Sequence, residues 1–326
     1  MFRIGFSTLI SIVATCCLCP LVLSLVRRLK VGQPILGYVT NHYSKSGTPT
    51  MGGMAFLLGA CFVSLAFNIG YSSHAVMASV LSLGFGVLGF LDDFIKVKSK
   101  NNKGLSVVQK LVGQILLSII IAVYAYLSPD VSSIIKIPFT DYTIDLGYWA
   151  IPVYLVFVVG VTNFVNLTDG LDGLVSTSGS VCLTSLGILI FLSAIEGGAN
   201  ISSLTGLSSY ALGLGGSLAV FYVLNSYPAK IFMGDTGSLG LGAGIACVCL
   251  LSRTLLAFFI VGIVYCISGL SVILQVFYYK LTKKRIFKMA PFHHHLEQCG
   301  LHENKIVAIY SLITLCGGIA IISFWG

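Results

Sequence analysis

The sequence predicts an all-α integral membrane protein with about ten transmembrane helices, both termini outside and a small extracytoplasmic β-hairpin. It reads as a single polytopic domain over residues 1–326. Three observations predict this. Of 326 residues, 56% are apolar and only 9% charged, too few polar groups to cover a globular surface. Apolar stretches of spanning length recur about ten times along the chain. The basic residues, finally, crowd into alternate connections.

The first apolar segment, 4–26, is too long for a signal-peptide core, and Arg27, Arg28 and Lys30 follow it where a cleavage site would need small residues. It is therefore read as a retained span. Further spans are expected at 52–70, 74–91, 108–127, 148–165, 174–195, 207–224, 238–252, 255–277 and 305–325. An even number leaves both termini on one side. Of the 19 lysines and arginines, only Arg3, Lys136 and Arg253 fall on that side, so the crowded face is cytoplasmic and the termini are outside. All ten cysteines but Cys299 lie within apolar segments and behave as small hydrophobes. The outer loop 128–147 contains IIKIPFTDYTIDLG, two β-prone runs about a turn, which reads as a surface hairpin. Residues 255–290 run longer than one span needs, with Gly269 part-way. Two readings stay open there: a plain span followed by an interfacial amphipathic segment, or a helix broken near the glycine.

The cytoplasmic connections hold most of the acids, and all the histidines except His74. HYSKSGTPTMGG supplies Lys45, Thr48 and Thr50, or is simply a flexible connector. GFLDDFIKVKSK sets Asp92 beside Asp93 and puts Lys96 on the face of Asp92. Such acids at a span end either pair with the lysine at the interface or serve function. NFVNLTDGLDGL holds Asp169 and Asp172 among glycines with Asn166, as a ligand site or a helix-capping turn. In NSYPAKIFMGDTGSLG, Asp235 opens the next span, as a functional acid or as its cap. MAPFHHHLEQCG places His293, His294 and His295 in succession. Adjacent histidines lack the spacing of a zinc site, so phosphate donation or proton handling fits them better; a solvated loop is the plain alternative. The preceding Lys280, Lys283, Lys284, Arg285 and Lys288 suit lipid head groups. His42 and His74 are read as incidental.

Aspartates with hydroxyls and an asparagine suit a hard cation, and Mg²⁺ favours one or two carboxylates plus substrate phosphates. Lysines and histidines suit the remaining phosphate charge. The chain has no Walker A, GxSxG or HExxH sequence, and its GxGxxG match, Gly84 to Gly89, lies inside an apolar span and not after a strand, which disfavours an ATPase, a Rossmann dehydrogenase or a zincin. What remains is metal-assisted phosphoryl chemistry at the inner membrane surface. A phosphate nucleophile attacking a diphosphate exchanges one anhydride for another, so positioning and charge neutralisation nearly suffice.

TPTMGG, LDDFIKVKSK, NLTDGLDGL, FMGDTGSL and MAPFHHHLE, in this order from about residue 45 onward, resemble the phospho-N-acetylmuramoyl-pentapeptide transferase family of the polyprenyl-phosphate N-acetylhexosamine-1-phosphate transferase superfamily. The resemblance implies transfer of phospho-MurNAc-pentapeptide from UDP-MurNAc-pentapeptide to undecaprenyl phosphate. The products would be lipid I and UMP, made with Mg²⁺ on the cytoplasmic face of the bacterial inner membrane, in the first membrane step of peptidoglycan synthesis. It implies Asp235 as the Mg²⁺ ligand and Asp92, Asp93, Asp235 and His294 as catalytic, Asp92 activating or orienting the lipid phosphate. By the same resemblance Lys45, Thr50, Lys96 and Lys110 would hold substrate, with phosphates on the lysines. Asn166, Asp169, Leu171, Asp172, Asn225 and Phe232 would form the nucleoside region, with Phe232 stacking on uracil, and Gln275, His293 and His295 would close over the site. The lipid bilayer is an expected partner, nucleic acid is not, and a homodimer is left open. Residues 1–40 carry none of these motifs.

Two other readings stay in view. A related GlcNAc-1-phosphate transferase shares the acidic motifs, and MAPFHHHLE argues against it. An ion-coupled transporter would use aspartates near the midplane in two related halves, whereas here they sit at span ends and no halves match.

Overall fold

The computed structural model describes residues 2–28, 47–99, 104–196 and 201–324. Among them are twelve helices: α1 (Phe2–Arg28), α2 (Gly53–Asn68), α3 (Ser73–Ser99), α4 (Val107–Leu127), α5 (Ala150–Thr168), α6 (Leu174–Ile195), α7 (Ile201–Asn225), α8 (Gly234–Leu251), α9 (Phe258–Val261), α10 (Ile263–Thr282), α11 (Phe292–Gln298) and α12 (Glu303–Phe324). Nine of these are long and apolar enough to cross a membrane. Large apolar side chains stay exposed along α1, α4 and α10, as lipid-facing surfaces require in a multi-pass membrane protein. The expected hairpin is present: β1 (Ile134–Lys136) pairs antiparallel with β2 (Thr143–Asp145), Ile135 opposite Ile144.

The second span is shorter than expected, and the open reading of the ninth is resolved. The second span, expected over 52–70, is a helix of 16 residues, about 24 Å long at 1.5 Å per residue and short for a bilayer core of about 30 Å. The preceding stretch is extended because it pairs with the segment before α8. Phe232 N donates to Pro49 O at 2.8 Å, Gly52 N to Phe232 O at 2.9 Å and Gly53 N to Met233 O at 3.0 Å. Non-helical backbone is tolerated at depth when protein buries and satisfies it, and Thr50 and Met51 are indeed buried. In the ninth span the break falls at Gly262, between α9 and α10, and α10 runs unbroken through Gly269 to Thr282. Gly269 instead lets the Phe164 ring lie against the helix, where a Cβ would collide with it.

The centre of the bundle is α8. Every residue of it except Gly234 and Asp235 is buried, with α3 and α5 as its main neighbours. Its N-terminus therefore opens at one end of the bundle, where α3 ends and α4 begins. Gly89 permits this, since a Cβ there would strike the backbone of Asp235. α4 starts with a capping box, Ser106 accepting from Gln109 N and Gln109 accepting from Ser106 N.

Candidate functional site

The acidic pair ends up on two different tasks because the α3 residues Asp92 and Asp93 point about 100° apart. Asp93, buried, faces the first turn of α8. Its Oδ1 accepts from Asp235 N at 3.2 Å, and its Oδ2 accepts from Thr236 N at 3.0 Å and Thr236 Oγ1 at 2.7 Å. A carboxylate there meets otherwise orphaned N–H groups and the positive end of the helix dipole. Asp92 faces the other way. Its Oδ1 accepts from Leu105 N at 2.6 Å and its Oδ2 pairs with Lys96 at 2.6 Å.

Asp235 completes the cluster. Carboxylate oxygens of Asp92, Asp93 and Asp235 all lie within 4.8 Å of one another, so the three can hold a metal ion. Two ammonium groups reach Asp235 Oδ2: Lys96 at 2.8 Å and Lys110 at 3.0 Å. Asn166, on α5, donates to Asp235 Oδ1 at 2.7 Å and to Ser238 at 2.8 Å. Thr50 Oγ1 is buried without a hydrogen-bond partner among the described residues. A Cβ on Gly234 would touch both that hydroxyl and Asp93 Oδ2, so a neutral oxygen and a carboxylate flank the α8 terminus. Such an all-oxygen donor set fits a hard divalent cation such as Mg²⁺.

The cluster opens into a cleft of about 790 Å³ between α3, α4, α5 and α8, lined by Asp92, Lys96, Lys110, Gln114, Asn163 and Asp235 among others. Gln114 and Asn163 bond each other on its wall, at 2.8 and 3.3 Å. The motif reading passed over both. The available signal was two amides inside apolar spans, one turn from Lys110 and Asn166, because intramembrane polar residues are seldom idle.

A second group gathers round the turn between α5 and α6. Asp169 is half-buried there, and its carboxyl is raised to about 8, first by burial and then by the charges of Asp235, Asp93 and Asp172. Asp172 Oδ2 accepts from Ala229 N at 2.9 Å, and its own N–H donates to Glu303. Leu171 is buried. Asn225 is buried too, taking Ser176 Oγ at 2.8 Å and donating to Ile231 O at 3.1 Å, which ties down the segment leading to Phe232. Phe232 is half-buried.

Above this turn sits α11. His293 is fully buried, and neither ring nitrogen has a hydrogen-bond partner among the described residues. Burial, with His294 beside it, lowers its pKa well below the usual imidazole value. A Cβ on Gly170 would collide with the His293 ring and approach that of His294, so this glycine lets both imidazoles reach the turn. His294 Nδ1 lies 3.1 Å from Glu297 Oε2. His295 accepts from Lys288 N at 3.1 Å and packs between Phe287 and Phe292. Gln275, on α10, holds the same strap through Ile286 N, Phe287 N and Phe287 O. Lys45 lies outside the described residues.

Residues 75–253 match the family described as Glycosyl transferase family 4. The chain is 39% identical over 315 residues to the phospho-N-acetylmuramoyl-pentapeptide-transferase of Clostridioides difficile (strain 630), covering 96% of this chain and 95% of that one. It is 41% identical over 315 residues to the protein of that name from Clostridium perfringens (strain SM101 / Type A), covering 96% and 94%. With that of Halalkalibacterium halodurans it shares 40% over 322 residues, covering 96% and 95%. Matched along nearly its whole length, the chain belongs to the phospho-N-acetylmuramoyl-pentapeptide-transferase family within glycosyl transferase family 4.

Proposed function

We propose that this chain transfers phospho-MurNAc-pentapeptide from UDP-MurNAc-pentapeptide to undecaprenyl phosphate, forming lipid I and UMP at the cytoplasmic face of the bacterial inner membrane. The observation that carries the reading is the meeting of Asp92, Asp93 and Asp235 within 4.8 Å, with Lys96 and Lys110 on one oxygen of Asp235. An oxygen of the acceptor phosphate attacks the sugar-bearing phosphorus of the nucleotide. The bond from that phosphorus to the bridging oxygen breaks, and its electron pair leaves with UMP. Since the nucleophile is already an anion, the residues chiefly orient and neutralise.

Asp235 is read as the main ligand of a Mg²⁺ ion, and Asp93 as the residue that positions it through the first turn of α8. When bound, the ion supplies charge neutralisation on the diphosphate. Asp92, at the cleft wall, orients the acceptor phosphate. Lys96, Lys110 and Lys45 receive phosphate oxygens. Asn166, Asp169, Leu171, Asp172, Asn225 and Phe232 accommodate the nucleoside side, and Thr50 lines the ion's surroundings. His294, backed by Glu297, handles hydrogen bonds to the nucleotide from the α11 side, with Gln275, His293 and His295 holding that strap in place. The basic residues at this end of the bundle support the cytoplasmic assignment.

The decisive assay follows UMP release from purified protein given undecaprenyl phosphate and either UDP-MurNAc-pentapeptide or UDP-GlcNAc. Mg²⁺-dependent turnover with the first and none with the second is expected; the reverse preference would make the chain a GlcNAc-1-phosphate transferase.

A further inference from the structure

Asp235 Oδ2 is shared by two cations. Lys96 on α3 and Lys110 on α4 reach it at 2.8 and 3.0 Å, and Lys96 also holds Asp92 at 2.6 Å. These are the carboxylates that can surround one metal ion. A divalent cation on Asp235 Oδ2 would therefore sit a few ångströms from two ammonium groups. In surroundings drier than bulk water that repulsion is poorly screened. Both lysine side chains are about one-fifth exposed, at 21% and 20%, and both line the cleft, so their flexible stems can swing into it without unpacking a helix.

We propose that Lys96 and Lys110 compete with the divalent ion for Asp235, and that the diphosphate of the nucleotide draws them off, so that ion and nucleotide bind with positive coupling. The inference rests on the reading of Asp235 as an ion ligand. A diphosphate carries several acceptor oxygens and more negative charge than one carboxylate, and charge-assisted bonds to phosphate are among the strongest that lysine makes. Once the lysines turn to the phosphates, Asp235 Oδ2 is released to the cation. Linkage makes the effect reciprocal: the ion raises nucleotide affinity by the factor that the nucleotide raises ion affinity. The lysines thus disfavour the bare ion, and the site fills with ion and diphosphate together.

This reverses the sign expected of a simple binding residue. Mn²⁺ binding to the full chain in nanodiscs, without nucleotide, is followed by electron paramagnetic resonance for wild type, Lys110→Met, Lys110→Arg and Asp235→Asn. Lys110→Met is expected to bind Mn²⁺ about tenfold more tightly than wild type, within the ordinary range of coupling, and Lys110→Arg like wild type. Adding UDP is expected to tighten Mn²⁺ binding in wild type by a larger factor than in Lys110→Met. If Lys110→Met melts like wild type yet binds Mn²⁺ no more tightly, the competition is refuted while Asp235 remains a ligand. If Asp235→Asn binds Mn²⁺ as wild type does, the underlying reading of Asp235 fails instead.

Discussion

Thr236 gives Asp93 two hydrogen bonds, from its backbone N–H at 3.0 Å and from its hydroxyl at 2.7 Å, both to Oδ2. The acid at the end of α3 thereby caps a helix that begins more than a hundred residues later, and fixes where the neighbouring Asp235 stands. Asp93→Asn turns an amide N–H₂ either toward both of these donors or toward Asp235 N, which donates to Oδ1. The expected cost is about 2 kcal/mol of stability, read as a lower melting temperature, with Mg²⁺ affinity reduced because Asp235 is less well held. Unchanged melting and ion affinity would mean that this cap does not set the site.

Asp235→Asn and Asp92→Asn are each expected to lower UMP release by about a hundredfold or more, the scale on which transition-state charge stabilisation acts. Both proteins should still insert, because neither substitution disturbs an apolar span face. Near-wild-type turnover in either variant would remove that residue from the proposed chemistry.

Gly170→Ala places a methyl group against the imidazoles of His293 and His294. Overpacking of this kind costs about 1–3 kcal/mol and should lift α11 off the turn. Faster hydrogen exchange over Phe292–Gln298 is the expected signature, and protection equal to wild type would contradict it.

His293 is buried with its pKa held well below the free imidazole value. The unfolded chain takes up the proton first, so this residue's contribution is complete above about pH 6.5 and is lost as pH falls below it. His293→Gln should flatten the acid side of the melting profile. A variant as acid-sensitive as wild type would place the sensitivity elsewhere.

Asp169 shifts the opposite way, to about 8. Its folded form keeps a proton that the unfolded chain releases near pH 4, so its burial becomes progressively more costly from there to pH 8. Asp169→Asn should therefore gain stability relative to wild type as pH rises over this range, measured by melting without added divalent ion. A constant difference between the two proteins would oppose the assignment.

How much of the site could be read in advance follows from the range of each interaction. Asp92 and Lys96 are one helical turn apart, so their pairing is local and visible in the spacing. The two bonds from Thr236 to Asp93, the amide pair of Gln114 and Asn163, and the bond from Asp172 N to Glu303 join distant elements. No periodicity announces them. The same holds for the break at Gly262: both it and Gly269 are glycines in an apolar run, each with a phenyl ring against it, Phe258 and Phe164, and nothing in the sequence tells them apart.

The sequence alone determined the spans, the hairpin and the segregation of basic residues, because hydrophobic length, strand alternation and charge act along the chain and need no partner. The tertiary structure decided which oxygen each lysine reaches, which acid caps α8, and where the stretch before α2 pairs. Those outcomes depend on the packing of α3, α4 and α5 around the N-terminus of α8. There a few ångströms of approach, set by the small residue Gly89, decide whether charges pair or repel.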